Sequence, residues 1–174
     1  MLILGEAHYQ WDPKIDAYPE LTQTLIGNQI SGDHTYHFWT RVAGAFLGHK
    51  PTRAEKGPFW HSVAFANRIQ ELASVGPGVA PTPEMWACSH AAFAELIEEL
   101  TPQAIIVLGY RQWNHMPLLG RTPGPVMDDP KKMLTWHYPL KNGNSALAYP
   151  IRHPSSGFNG AKWHPHIRKA VSLA

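Results

Sequence analysis

The stretch that decides the fold is Thr82-Pro83-Glu84-Met85-Trp86-Ala87-Cys88-Ser89-His90-Ala91-Ala92-Phe93-Ala94-Glu95-Leu96-Ile97-Glu98-Glu99-Leu100, followed after Thr101-Pro102-Gln103 by Ala104-Ile105-Ile106-Val107-Leu108-Gly109. Thr82 can cap a helix, Pro83 suits its first turn, and Glu84 suits its positive end. Trp86, Phe93, Leu96, Ile97 and Leu100 recur at helical spacing, which predicts a helix over 83–100 that Thr101-Pro102 ends. The run at 104–108 is apolar throughout and closes on Gly109, as a strand buried on both faces of a parallel sheet does.

Outward from this unit the same alternation continues. Residues 2–4 read as a short buried strand ending at Gly5, and residues 20–30 and 34–47 as helices separated by Ser31-Gly32-Asp33, which is both a stop and a cap. Residues 50–58 read as a polar loop. Residues 60–66 read as a strand with Val63 and Phe65 as its core contacts. A Pro/Gly loop is expected over 76–83, a short helix after Gly109, and a Pro/Gly stretch over 117–130. Two further strands fall at 135–138 and 146–151, and a terminal helix at 163–173. Strands alternating with helices predict an α/β domain, a parallel sheet covered on both faces. The 174 residues suffice for one domain with a substantial core, 1–174, and are few for two.

Composition sets limits on function. Cys88 is the single cysteine, which excludes an internal disulfide and any four-cysteine metal or iron–sulfur site, so a reducing cytoplasm is the expected compartment. No segment approaches the roughly 18 consecutive apolar residues of a membrane span. No basic region or cleavage site accompanies the opening Met1-Leu2-Ile3-Leu4-Gly5, so no signal peptide is expected. A formal charge of +2 is too weak to identify a nucleic-acid partner, although Lys131, Lys132, Lys141, Arg152, Lys162, Arg168 and Lys169 gather late in the chain. The phosphate loop, the dinucleotide glycine fingerprint, the serine-hydrolase elbow and the paired-histidine zinc helix are all absent, which argues against the ordinary nucleotide-binding and hydrolase classes.

The chemistry concentrates at strand ends. In Tyr149-Pro150-Ile151-Arg152-His153-Pro154-Ser155-Ser156-Gly157-Phe158-Asn159, a strand-like run feeds a His-Pro-Ser-Ser turn. Pro154 biases His153 away from the helical region and sets an imidazole at the mouth of a strand. Ser155, Ser156 and the N–H groups beyond can bind an anion. Phe158 lies between Gly157 and Asn159-Gly160 and is expected either to project from the loop or to fold back onto Trp163. Gly5-Glu6-Ala7-His8-Tyr9 follows the first strand, on the rim expected to hold His153. Glu6 could position a water there, with His8 and Tyr9 lining a pocket; the plainer reading has Glu6 capping a helix or paired with an arginine. Asn67 ends another strand, and its amide can read a base edge or simply form a turn. His164 and His166 flank Pro165. With no carboxylate close in sequence to complete a metal site, a start-of-helix role with phosphate contact is the better reading.

Three of these segments, in this order, resemble motifs of the uracil-DNA glycosylase superfamily. Gly5-Glu6-Ala7-His8-Tyr9 is similar to its first motif, close to the Gly-Glu-Ala-Pro-Gly form of the iron–sulfur branch. Asn67-Arg68-Ile69-Gln70 is similar to the Asn-x-x-Lys segment, and His153-Pro154-Ser155-Ser156 to the His-Pro-Ser-Pro motif. The resemblance implies a three-layer α/β/α sandwich on a small central parallel sheet of four or five strands. It implies hydrolysis of the N-glycosidic bond of a damaged or deaminated base, uracil first, after the base is flipped out of DNA. His153 would stabilise charge on the departing base and Glu6 would position water, as the catalytic pair. Asn67, with His8 and Tyr9, would bind the base. Ser155, Ser156, Phe158 and Asn159 would engage DNA, with Phe158 filling the vacated stack. DNA is the implied partner, with a monomer acting on it and neither metal nor cofactor required. Ala7, His8 and Gln70 depart from the motifs, and the cluster cysteines are missing. The Ala7-His8 departure keeps open a non-catalytic nucleic-acid- or nucleotide-binding protein on the same fold. A metal-dependent hydrolase using His8, His153 and His164 is a third, weaker possibility.

Overall fold

The computed structural model describes residues 1–10, 18, 20–75, 79–155 and 157–174. Its centre is a six-stranded sheet, and four of the strands are mutually parallel and neighbours: β3 (Ala64–Asn67), β1 (Leu2–Gly5), β5 (Ala104–Leu108) and β8 (Ser145–Ile151). Beyond β8 the sheet continues antiparallel through β7 (Leu134–Pro139) to β6 (Thr122–Val126). The sheet is thus mostly parallel and one or two strands wider than expected. The extra strand lies inside the Pro/Gly stretch over 117–130. Its Thr-Pro-Gly-Pro-Val sequence reads as loop because prolines cannot donate to a ladder, and the chain tolerates them here because β6 is an edge. A second, two-stranded parallel sheet pairs β2 (His8–Gln10) with β4 (Leu72–Val75), both too short to give a periodic signal.

Alternation along the central strands sorts the core onto two faces. Leu2, Leu4, Ile105 and Val107 pack with Phe93 and Ile97 of α4 (Pro83–Leu100) and with Trp113 of α5 (Tyr110–Asn114). Ile3, Ile106, Leu108, Tyr149 and Ile151 pack on the other face, against Trp39 and Val42 of α2 (His37–Leu47), Trp60 of α3 (Arg53–His61), and Ile167 and Ala170 of α6 (Gly160–Leu173). Helices therefore cover both faces, with α1 (Leu21–Ser31) also packing on the second through Leu25 and Ile26. Among the described residues, no helix is long and apolar enough to cross a membrane.

The helix over 83–100 and the strand at 104–108 form at the expected bounds, with the Thr82 side chain accepting from the Met85 N–H. Three expectations are corrected. The polar loop over 50–58 gives way to α3, because Thr52 and Glu55 form a reciprocal capping box and Phe59 and Trp60 bury on the core; Pro58 is carried within the helix. The strand expected from residue 60 consequently starts only at Ala64. The terminal helix starts earlier, at Gly160, because the Asn159 side chain caps it by accepting from the Lys162 N–H. Of the loop expected over 76–83, residues 76–78 lie outside the described residues.

Candidate functional site

Each parallel strand delivers a residue to the same rim. Glu6 follows β1, Asn67 ends β3, Gly109 follows β5, and His153 lies two residues past β8. All four line one cleft of about 630 Å³, within the usual range of small-molecule sites, at the carboxyl ends of the strands. Its apolar wall comes from Leu21 and Leu25 of α1 and from Tyr36, Phe38 and Trp39 at the start of α2. The structure thus brings Glu6, His8, Tyr9, Asn67, His153 and Ser155 together from distant segments.

His153 is held in one protonation pattern. The backbone N–H of Ser155 donates to its Nδ1 at 3.2 Å, and Ser155 Oγ lies 2.7 Å from the same nitrogen. An Nδ1 that accepts from a backbone donor carries no proton, so Nε2 bears it in the neutral ring. Burial lowers the His153 pKa below its ordinary 6.5; the Glu6 carboxylate opposes this and the Arg111 guanidinium adds to it. The imidazole is therefore a neutral Nε2–H donor at neutral pH. Phe38 lies against it, ring centroids 5.5 Å apart, and Arg41 Nη1 donates to the carbonyls of Pro154 and Ser155 at 3.1 Å each. Gly109 takes φ +117°, a conformation closed to side chains, and a Cβ there would stand 3.4 Å from His153.

Glu6 is almost fully buried and paired. Tyr9 donates its hydroxyl to Oε1 at 2.7 Å, Arg111 Nε donates to Oε2 at 3.0 Å, and Arg111 Nη2 donates to Oε1. These contacts take three of the roughly four acceptor positions of a carboxylate. Burial alone would raise the Glu6 pKa, but the hydrogen bonds from Arg111 and Tyr9 outweigh it and hold the group below its ordinary 4.5. Burial and the Glu6 hydrogen bond push Tyr9 up to about 12, so the phenol keeps its proton. The plainer sequence reading of Glu6, a partner for an arginine, describes the geometry.

Asn67 is buried beside Gly5, its register partner across β1 and β3, and lines the cleft. The turn beyond is tied to the first motif, because Arg68 N–H donates to the Gly5 carbonyl at 2.9 Å and Ile69 N–H to the Glu6 carbonyl at 3.0 Å. His8 shares a 2.8 Å hydrogen bond between Nε2 and Thr22 Oγ1, and burial lowers its pKa.

The other described sequence candidates lie apart from the cleft. Phe158 folds back: its ring is half-buried and stacked on Trp163, 6.5 Å between centroids and 3° between planes, so it does not project. Glycine flanks permit an exposed tip but do not compel one, and Trp163 offers a flat apolar surface nearby. Asn159 is occupied as the α6 cap. Ser156 lies outside the described residues. His164 points its Nδ1 to the Ala45 carbonyl at 3.3 Å and does not line the cleft, so His8, His153 and His164 do not converge. Among the described residues, no cluster of three or more histidine, cysteine or acidic side chains could hold a metal ion.

Sequence reasoning missed Arg111, Phe38 and Tyr36. Arg111 was within reach: it stands three residues past the end of β5, a rim position like those of Glu6 and His153. Phe38 and Tyr36 carry no local signal, since aromatic residues at a helix start read as core. No protein-family model matches this chain, and no curated protein matches it.

Proposed function

We propose that this chain is a uracil-DNA glycosylase-like N-glycosylase, a three-layer α/β/α sandwich that flips a damaged or deaminated base out of DNA and hydrolyses its glycosidic bond. The observation that carries the reading is the meeting of His153, Asn67 and Glu6, from three separated motif-like segments, in one cleft where the imidazole is a neutral Nε2–H donor. The glycosidic bond breaks toward an oxocarbenium-like sugar, and the base departs with the electron pair. A neutral donor aimed at the base oxygen stabilises that charge without giving up its proton; one such donor is worth about 3 kcal/mol. The Asn67 amide offers both a donor and an acceptor to the base edge, and Phe38 and Tyr36 give a flat ring an aromatic wall.

One observation favours the second reading, a non-catalytic nucleic-acid or nucleotide binder. Glu6, the group assigned to water, is buried and largely engaged by Arg111 and Tyr9. A single assay separates the two. The protein is incubated, with EDTA present, with oligonucleotides carrying uracil, hypoxanthine, xanthine or oxidised bases, and abasic sites are then cleaved with alkali. A glycosylase releases at least one base. His153→Ala slows single-turnover cleavage about 100-fold with DNA binding little changed, and Asn67→Ala slows it and blurs the choice of base. No cleavage across the panel makes the binder the leading reading.

A further inference from the structure

The ion pair at the floor of the cleft has an orientation. Glu6 is 6% exposed, whereas the Arg111 side chain is 41% exposed and lines the cleft. A guanidinium carries five N–H donors. Nε gives its proton to Glu6 Oε2, and Nη2 gives its two to Glu6 Oε1 and the Tyr9 hydroxyl. The two donors on Nη1 have no partner among the described residues, and the Arg111 side chain as a whole is exposed. The pair is neutral overall, with its negative end sealed in the protein and its positive end open to the cleft. That is a fixed dipole of the kind that stabilises charge developing on a bound group at little reorganisation cost. The bidentate contact to a buried carboxylate, itself tied to Tyr9, sets the guanidinium plane before any ligand arrives.

We infer that Arg111 is a second oxyanion donor of this cleft, giving its Nη1 hydrogens to a carbonyl oxygen of the departing base, and that Glu6 and Tyr9 are positioning residues that hold it. The inference rests on the glycosylase reading and assigns a residue outside the three motif-like segments. In the step it serves, the bond between the sugar C1′ and the base nitrogen breaks, and its electron pair stays with the base and spreads onto the exocyclic carbonyl oxygens. Those oxygens receive hydrogen bonds from His153 Nε2–H and Arg111 Nη1–H. Water adds its oxygen to C1′, one water proton goes to solvent, and the base anion later takes a proton from solvent. Neither donor residue changes its own protonation state.

The test compares the wild type with Arg111→Ala, Arg111→Lys and the double variant Glu6→Gln/Arg111→Met, which removes both charges together and so leaves no buried carboxylate unpaired. Single-turnover rates are measured on DNA carrying uracil and on DNA carrying 5-fluorouracil, whose fluorine stabilises the departing anion. Arg111→Ala and the double variant should lose about 100-fold on uracil and much less on 5-fluorouracil. Arg111→Lys should recover little, since an ammonium cannot hold Glu6 through two parallel bonds. Unchanged rates, or equal losses on both substrates, overturn the assignment. So does weaker DNA binding with a smaller salt dependence at an unchanged rate, which would place the contact on a backbone phosphate.

A second measurement decides the inference even if the wild type cleaves nothing, in which case the glycosylase reading fails separately. Free 5-fluorouracil is titrated against tryptophan fluorescence at pH 7 and pH 9. Glu6 is held ionised, His153 neutral, and Tyr9 and Tyr110 are pushed up to about 12, so none of these four cleft groups changes charge between the two pH values, and the double variant serves as the control for the rest of the protein. The wild type should bind more tightly as the ligand ionises, and the double variant should lose that gain. The same gain in the double variant, or no binding by the wild type, overturns the inference.

Discussion

The amide of Asn67 occupies the space that a side chain at Gly5 would need: a Cβ on Gly5 would overlap Asn67 Oδ1 and come within 2.9 Å of Phe65 Cζ. The two residues are register partners on neighbouring parallel strands, so their backbones are held side by side and the strain falls on the Asn67 side chain. Gly5→Ala should therefore displace that side chain from its present position. The expected cost in stability is about 1–3 kcal/mol, as for other overpacked cores. Loss of activity should at least match that of Asn67→Ala, measured by denaturant unfolding beside single-turnover cleavage. A Gly5→Ala protein as active as the wild type would show that Asn67 does not need its present position.

Glu6 makes stability depend on acid pH. Its folded pKa lies below its ordinary 4.5, so the stabilisation from Arg111 and Tyr9 is complete above 4.5 and is lost as pH falls through the folded value. Melting temperature should fall on acidification below about pH 4.5, and the Glu6→Gln/Arg111→Met protein should show a shallower fall over the same window. Parallel slopes in the two proteins would mean that the pair contributes nothing to acid stability.

His153 should stay neutral to lower pH than a free imidazole. Its pKa is lowered from 6.5 by burial, so nitrogen NMR at pH 7 should show Nδ1 as the unprotonated nitrogen and Nε2 as the protonated one. Protonating Nδ1 would remove the acceptor of the Ser155 N–H, so cleavage should be flat from neutral pH down to about 6.5 and decline only below it. A ring that titrates above 6.5, or carries its proton on Nδ1, is incompatible with a neutral Nε2–H donor.

Phe158 is a packing residue by its geometry. It is half-buried on Trp163, so Phe158→Ala should cost roughly 1–3 kcal/mol, less than the about 3–5 kcal/mol of a fully buried phenylalanine. Any loss of cleavage should be equal on duplex and single-stranded substrates. An unchanged melting temperature with a loss confined to duplex DNA would restore the wedge role.

The legible parts of this chain are those whose signals are local. The helix 83–100 announces itself through Thr82, Pro83 and its apolar spacing, and β5 through five consecutive apolar residues. The rim residues Glu6, Asn67 and His153 are legible because each ends or follows a strand, and strand ends of a parallel sheet share an edge. What escaped depends on partners far away in sequence. Arg111 gains its meaning from Glu6, 105 residues earlier, and Phe38 from His153 in the last quarter of the chain. The helix α3 was hidden by Pro58 and Gly57, which lower helix propensity but lose to a capping box and to the burial of Phe59 and Trp60. The strand β6 was hidden by its prolines, whose tolerance depends on an edge position that only the finished sheet defines.

Arg41 joins two parts of the cleft that the chain keeps far apart. It belongs to the helix that carries Phe38 and Trp39, and it grips the carbonyls of Pro154 and Ser155 in the turn that carries the imidazole. The aromatic wall and His153 are therefore tied to each other, and their rings stand in direct contact, centroids 5.5 Å apart. No space for a planar ring is left between them, so a ring entering the cleft meets Phe38 and the imidazole as one continuous edge. A displacement of the turn that carries His153 is passed to the wall, because one guanidinium holds both.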